Sequence, residues 1–467
     1  MPYYVAGAMS YRALFAAPLL ALAMPALAAP PECPVPSAPL DVAGVVAQAL
    51  CRNPDTRTAW LTVQAQEARL KSAKSGYYPT LDLSASQTRS FGDGGSSDRT
   101  GASLSAGWLL YDFGARAADK RQARQVLSAV QASQENTTQK VMQAAVDAYY
   151  VWYAADESLT AARASEDAAR ETLRATETRQ RVGAGTLADV LQARTALSQA
   201  SLSVIQRDGT REIARGTVAQ ALGLPTPSTV TLAPPPENLP TDLQPPAFEG
   251  LAAALPDRRP DLRAQKFSVE AAKASYESID AQDRPTISLV ASDGLSRSSP
   301  GNSDTTESGS VGLQLKIPLF AGGRYQAQEI VAARQVDIAE TEYERQKLGA
   351  TSELWTAWQG VRTSAATVGA SRDLVASASE AHRAALARYR AGLGSLIEVL
   401  NAQSTLADAR QQEAAARFNW HRARVALIKS SGVLNTADLN LETAASAGLN
   451  TATGTAAPTT GTTGTAP

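Results

Sequence analysis

Residues 314–324 read QLKIPLFAGGR. Leu315, Ile317 and Leu319 alternate with Gln314, Lys316 and Pro318, and upstream Val311 and Leu313 keep the odd positions apolar while Gly312 stays with the even ones. A period of two with one greasy and one polar face predicts a strand lying between lipid and water. The run then crosses Gly322 and Gly323 into Arg324, and from Arg324 to Ala391 the chain has no proline and reads as helix. At ~1.5 Å per residue such a helix is roughly 100 Å long. A single small domain cannot house it.

The same join occurs twice. LLYDFGAR (109–116) answers PLFAGGR (318–324), and AGTLADVLQA (184–193) answers LGSLIEVLNA (393–402). NPDTRTAWLTVQAQEARLKSAKSGYYPTLDL (53–83) lines up without gaps on RPDLRAQKFSVEAAKASYESIDAQDRPTISL (259–289), 206 positions on, and the spacing drifts only to about 209 further along. One unit has been duplicated, with the proline-rich bridge LPTPSTVTLAPPPENLPTDLQPP (224–246) between the copies. The predicted organisation is a first repeat over 29–222, with a strand pair at 78–113, a long helix at 115–182 and a return helix at 186–222. A linker follows over 223–256, then a second repeat over 257–432 with its strand pair at 285–320, long helix at 324–391 and return helix at 395–431.

Each unit opens on a helix whose N-cap and first-turn proline are visible as Asn53-Pro54 and Arg259-Pro260. In the first strand pair Leu81, Leu83 and Ala85 alternate with Asp82, Ser84 and Ser86, and Leu104, Ala106, Trp108 and Leu110 alternate with Ser103, Ser105 and Gly107. The polar stretch GDGGSSDRTG between them reads as a long hairpin tip. Both long helices turn at glycines (Gly183, Gly185; Gly392, Gly394) into a shorter helix heading back, where Ala193, Ala196, Ala200, Ala402 and Ala407 permit close packing. Four strands would leave two open edges in lipid, where each unpaired backbone group costs several kcal/mol, so the sheet must close with other copies of the chain. Two copies would give eight strands, plugged by side chains, and three would give twelve around a wider bore.

The N-terminus carries Arg12, the apolar run ALFAAPLLALAMPALA and the small-x-small Ala26-Leu27-Ala28, which predicts a signal peptide over 1–28, with Met1 or Met9 as the start. No later stretch is long and apolar enough for a membrane-spanning helix. Lys+Arg 44 against Asp+Glu 45 gives no basic excess to suggest nucleic acid. Two cysteines and two histidines leave little for a metal site, and no cofactor motif is present. Cys33 and Cys51 are expected to form one disulfide in an oxidising compartment, worth roughly 3 kcal/mol. A lipid anchor at Cys33 is disfavoured because Pro31 and Glu32 stand where a lipoprotein signal has small residues. His382 and His421 read as surface or wall residues. YYVWY (149–153) and Trp355 with Trp358 read as helix-packing anchors, and Asp112-Phe113-Gly114 as a strand end. The residues from 433 on cannot bury enough apolar surface to fold and are expected to hang in the periplasm. No converging set of reactive side chains suggests an enzyme.

YPTLDL, RPTISL, PLFAGGR and the turns before ADVLQA and IEVLNA, in this order and repeated twice, resemble the TolC-like outer-membrane efflux family over about residues 40–432. The resemblance implies a mainly α fold with β: a homotrimer forming a twelve-stranded β-barrel in outer-membrane lipid, continuous with a long α-helical barrel in the periplasm. It implies a passive exit duct served by a periplasmic membrane-fusion adaptor and an inner-membrane ABC or proton-driven pump. The leader around ALCRNPDTRTAW is similar to the type I secretion branch; small-molecule efflux stays open beside it. The family's pore aperture carries over to Tyr389, Gly392 and Glu398, with Asn401 where a second acid often stands, Gly394 where an arginine locks neighbouring helices, and Asp189 as the acid that bonds across to the tyrosine. The alternative is a periplasmic coiled-coil scaffold, which would explain the helices but not four amphipathic strands.

Overall fold

The computed structural model describes residue 33 and residues 39–92, 95–228, 230–235, 243–299 and 305–435. The signal segment and the tail beyond 435 lie outside the described residues. The chain divides into two compact units, Met1–Val35 and Pro36–Pro467. In the first, Cys33 is disulfide-bonded; in the second, so is Cys51, and neither cysteine is free.

The second unit is built as two copies of one pattern. In the first copy α1 (Val42–Arg52) is capped by Asp41, which accepts from the Gly44 N–H at 2.7 Å. α2 (Pro54–Ser75) is capped by Asn53, which accepts from the Asp55 N–H at 2.8 Å, with Pro54 in the first turn. Then come β1 (Thr80–Gly92), β2 (Gly95–Tyr111), α3 (Ala115–Arg181) and α4 (Leu187–Ala221). The second copy gives α5 (Phe248–Arg258), α6 (Pro260–Asp280), β3 (Thr286–Ser299), β4 (Thr306–Lys316), α7 (Arg324–Arg390) and α8 (Leu396–Ser430). The element α5 lies mostly in the stretch assigned to the linker, and it repeats α1 at the same 206-residue offset. Pro256 disguised it: a proline inside so short a run reads as a breaker, yet it falls two residues before the helix end and forfeits one hydrogen bond.

The strands form one antiparallel meander in the order β1-β2-β3-β4, so the sheet's two outer edges belong to β1 and β4. Leu83 pairs with Leu104 and Leu289 with Leu313, which places most of the apolar residues of the four strands on one face, Leu109 and Val290 standing on the other. The opposite face carries hydroxyl pairs, Ser84 with Ser103 at 2.8 Å and Ser292 with Ser310 at 3.0 Å. Two strand expectations need correction. Pairing of β1 with β2 continues to Gly92↔Gly95, helped by Arg89 and Asp98 at 3.3 Å, so most of the expected polar tip is strand. Strand β4 stops at Lys316, leaving Ile317 and Leu319 outside it, because Pro318 offers no N–H to a ladder and restricts the residue before it.

Where β2 meets α3, Asp112 and Arg116 make the join. The Asp112 Oδ2 accepts from the Arg116 N–H (2.8 Å) and Nε (2.9 Å), while the Arg116 Nη1 donates to the carbonyls of Leu109 (2.6 Å) and Gly76 (3.0 Å). One guanidinium thus ties the strand end, the helix start and the end of α2. Both long helices begin after a glycine in the left-handed region, Gly114 (φ 106°) and Gly323 (φ 79°).

The main core gathers where α1, α3, α4 and α8 meet, around Val45, Val46, Val146, Tyr149, Tyr150, Leu222 and Phe418. Tyr149 in this core, and Trp358 and Trp420 in neighbouring clusters, do more than pack helices, because they hold the connecting segment by its backbone. Tyr149 donates to the Ala233 carbonyl at 2.6 Å, Trp358 Nε1 to Pro246 at 2.8 Å and Trp420 Nε1 to Leu243 at 3.2 Å. His421, expected at a surface or wall, is buried and stacked on Tyr150 with ring centroids 4.7 Å apart; a neutral imidazole is compatible with an aromatic core. The two copies close alike: the α4 end turns at Gly223 against Arg52 and the α8 end turns at Gly432 against Arg258.

Candidate pore aperture

Two helical hairpin turns, α3 to α4 and α7 to α8, have the same backbone. Gly183 (φ 76°) and Gly392 (φ 77°) occupy the left-handed position that ends a helix without a Cβ penalty. The Ala184 N–H reaches back to the Arg179 carbonyl at 2.8 Å and the Leu393 N–H to the Arg388 carbonyl at 2.9 Å. Gly394, where the family resemblance would place a locking arginine, approaches the end of α7 so closely that a Cβ would lie 3.1 Å from the Arg388 Cβ and 3.2 Å from the Tyr389 nitrogen. Packing therefore accounts for this glycine.

The return helices are capped differently, and the difference bears on charge. Thr186 and Asp189 form a full capping box: Asp189 Oδ2 accepts from the Thr186 N–H (3.1 Å) and hydroxyl (2.8 Å), and Thr186 accepts from the Asp189 N–H (3.1 Å). Ser395 accepts from the Glu398 N–H at 3.3 Å, but the Glu398 carboxylate does not return the bond. Glu398 is exposed, and among the described residues its carboxylate has no hydrogen bond or ion pair. The first copy thus spends its acid on its own helix end. The second leaves its acid directed outward.

The two turns are joined within one chain through Tyr389. Its ring is buried against Ala193 of α4 and Leu396 and Val399 of α8, with Arg179 of α3 standing over it at 4.6 Å. The Arg179 Nη1 also donates to the Tyr389 carbonyl at 2.6 Å. Sequence reasoning named Tyr389, Gly392, Glu398, Asn401 and Asp189 but passed over Arg179. The signal was present: Arg179 and Arg388 each precede the turn glycine by four residues in the two copies. Asn401 is exposed three residues beyond Glu398 and lines a groove of about 630 Å³ between α4 and α8, with Leu191, Thr195, Ile397, Ser404 and Asp408. The turns also expose Val182, Leu187, Leu393 and Ile397.

Two helical hairpins of this length with glycine turns, an unpaired acid at one of them, and an amphipathic four-stranded meander built from two strand pairs now stand together in one duplicated chain. Residues 45–224 and 251–433 each match the outer membrane efflux protein family. The chain belongs to that family. Protein CyaE of Bordetella pertussis is 31% identical over 428 residues, covering 88% of each chain. The probable efflux pump outer membrane protein TtgC of Pseudomonas putida is 26% identical over 404 residues, covering 83% of this chain and 82% of its own. Among solved structures, the outer-membrane channel OprN superposes with a TM-score of 0.74 at 25% identity, covering 84% of this chain and 90% of that one. The CmeC outer membrane channel of Campylobacter jejuni gives 0.75 at 18% identity, over 87% and 89%. This outer membrane efflux protein is therefore an exit duct of the outer membrane, with its helices in the periplasm. Among the described residues no group of three or more histidine, cysteine, aspartate and glutamate side chains could hold a metal ion.

Proposed function

We propose that three copies close a twelve-stranded barrel and a periplasmic helical duct, and that the duct passively conducts what an inner-membrane pump and a periplasmic adaptor deliver. The observation that carries this reading is the sheet: one apolar face, one hydroxyl-lined face and two free edges, β1 and β4, joined through short glycine turns to helices 67 residues long. An open edge in lipid leaves backbone groups unsatisfied, so the sheet needs more copies. Eight strands would fill their own interior, whereas twelve leave a bore.

The aperture of this duct is the ring of Glu398 carboxylates at the second turn, with Asn401 beside it. Arg179, Tyr389 and Gly392 hold that turn against the first, and Asp189 fixes the first turn's helix end. The exposed Val182, Leu187, Leu393 and Ile397 offer the adaptor an apolar seat at the tips. Two substrate classes fit. Similarity to pump components such as TtgC supports small molecules, and the leader around ALCRNPDTRTAW supports type I protein secretion.

The test of the duct is conductance. Purified protein in planar bilayers should give discrete cation-selective channels, and in cells it should fractionate with the outer membrane and resist salt extraction. A protein that salt releases, or that leaves bilayers silent, would be a scaffold instead.

A further inference from the structure

Towards the hairpin tips the apolar face turns polar, with Gln87, Arg89, Asp98, Arg297 and Glu307 on it, and Asp293 is the charge set furthest from the tips, level with Leu83 and Leu104. Leu83, Leu104, Asp293 and Gly309 are aligned across β1, β2, β3 and β4 and so share that face. Along β3 the same face presents Ile287, Leu289 and Ala291 before Asp293 and Leu295 after it, so the carboxylate sits within the apolar band. Among the described residues it has no hydrogen bond or ion pair. Ionised groups facing lipid are costly and are kept where they find a partner.

The geometry shows from which side a partner can come. Leu104 stands beside Asp293 on β2. On β4 stands Gly309, and a Cβ placed there would lie 3.3 Å from the Asp293 Oδ1, so the carboxylate leans over a position with no side chain. Beyond Gly309 is the free edge of the sheet. Arg297 shares the face but lies four residues along the same strand, roughly 13 Å away at ~3.3 Å per residue.

The internal duplication states what lies across that edge. The pair Leu83↔Leu104 recurs as Leu289↔Leu313, which maps β1 on β3 by 206 positions and β2 on β4 by 209. Between the copies β2 pairs with β3 as Leu104↔Asp293. Carrying this pairing one copy further sends Leu104 to Leu313 and Asp293 back to Gln87. Strand β4 of one chain then meets β1 of the next as Leu315↔Ala85, Leu313↔Gln87, Val311↔Arg89 and Gly309↔Phe91. The faces agree independently, because a slip of one residue would turn the apolar positions of β1 into the bore.

In this register Arg89 lies diagonally across Gly309 from Asp293, two strands over (roughly 10 Å) and two residues along (roughly 7 Å). An extended arginine and an aspartate leaning towards it span that separation. Within one chain Arg89 meets Asp98 at 3.3 Å and stands over the Phe91 ring at 5.8 Å, and the side chains of Arg89 and Asp98 are well exposed, 61% and 45%. We infer that Arg89 of a neighbouring copy reaches over Gly309 to Asp293, clasping β4 of one chain to β1 of the next in the register Leu313↔Gln87. The inference rests on reading the chain as a trimeric duct.

Paired cysteines test the register in the full-length protein, oxidised in outer-membrane vesicles and run on non-reducing gels. Leu313→Cys with Gln87→Cys, or Gly312→Cys with Thr88→Cys, should give covalent trimers. These pairs occupy successive ladder positions, so one of them is non-hydrogen-bonded with its side chains close. Leu313→Cys with Ala85→Cys or with Arg89→Cys, each slipped by two, should stay monomeric. A trimer that crosslinks only through slipped pairs, or through neither aligned pair, overturns the register while leaving the duct standing. A protein that never runs as a trimer or leaves the outer membrane overturns the duct reading and this inference with it. The clasp is read from a double-mutant cycle on the temperature at which the trimer dissociates in detergent. Asp293→Asn and Arg89→Gln should each lower it by several degrees, and the double variant should fall no further than the lower single one. Additive losses would mean the two residues do not meet.

Discussion

Glu398 and Asp189 begin as equivalents, each an acid at the third position of a return helix, and differ in what their carboxylates do. Asp189 is held by Thr186, whereas Glu398 is held by nothing among the described residues. Three unpaired carboxylates near one axis should bind divalent cations and impede anions. Glu398→Ala is therefore expected to weaken divalent block and lower cation selectivity in single-channel recordings; unchanged block would place the carboxylate in bulk water. Arg179→Ala should raise closed-state leak more than Tyr389→Phe, because the arginine contacts both the ring and the backbone of Tyr389, while the phenylalanine variant keeps the ring. A larger effect of Tyr389→Phe would assign the lock to the hydroxyl. His421 makes a pH prediction. Burial first, then the charges of Arg424 and Arg417, push its pKa down to about 4 from an unfolded 6.5. The unfolded chain thus takes up this proton at a higher pH than the folded chain does, so stability is lost as pH falls from 6.5 towards 4. His421→Phe should flatten melting temperature against pH in that window, and an unchanged slope would mean other groups set it. The two glycine turns were legible because each has a place in the repeat, whereas the aperture assignment comes from the family resemblance. The place of Arg179 in the repeat was legible too, but its contact with Tyr389 and the burial of His421 were not, since both depend on which helices meet.

Among the elements, the helix ends show how the two copies were adapted. Gly432 (φ 81°) would place a Cβ 2.7 Å from the backbone of Arg258 and Arg259, and beside it Arg259 donates to the Ser430 carbonyl at 3.2 Å. Gly432→Ala meets both the left-handed backbone penalty, about 1–2 kcal/mol, and a clash with main chain. It should cost more stability than Gly392→Ala, which adds a Cβ in open space; equal melting temperatures for the two would show that the α8 end yields. Arg259 also binds Asp261 at 2.6 Å and Glu353 at 2.7 Å, and Lys429 reaches Glu353 at 2.6 Å. Burial alone would raise both carboxylates. The hydrogen bonds and charges of Arg259, with Lys429 at Glu353, outweigh it and hold both below their ordinary values. Their contribution is present above the unfolded carboxylate range, about 4, and is lost as pH falls through the lowered folded values. Glu353→Gln should reduce the loss of stability on acidification below pH 4, and an unaltered acid limb would remove this cluster from the account. Strands, long helices and return helices were readable to within a few residues because each carries its own period or break. Helix α5 was hidden by Pro256, and the extent of β1 and β2 by glycines and serines that pair through backbone alone.

For the whole molecule, the duplication was the most legible feature and the closure of the sheet the least, because a single chain states only that its edges are free. Crosslinking in detergent is expected to stop at trimers, and a limit at dimers would contradict a twelve-stranded wall. Non-reduced peptides should show Cys33 joined to Cys51 of the same chain; a bridge between chains, or a diacylglyceryl group on Cys33, would refute that. The sheet order also has a consequence in time. Strand β2 ends at Tyr111 and its neighbour β3 begins at Thr286, with α3, α4, α5 and α6 between them. A chain threading out of the inner membrane N-terminus first therefore delivers the hairpin of β1 and β2 long before its third strand exists. During that interval the hairpin has an apolar face and two bare edges in water, the condition in which strands pair with the wrong neighbour. Only the arrival of the second copy gives β2 its proper mate, so the repeat that builds the duct also sets how long its first half must be kept from sticking.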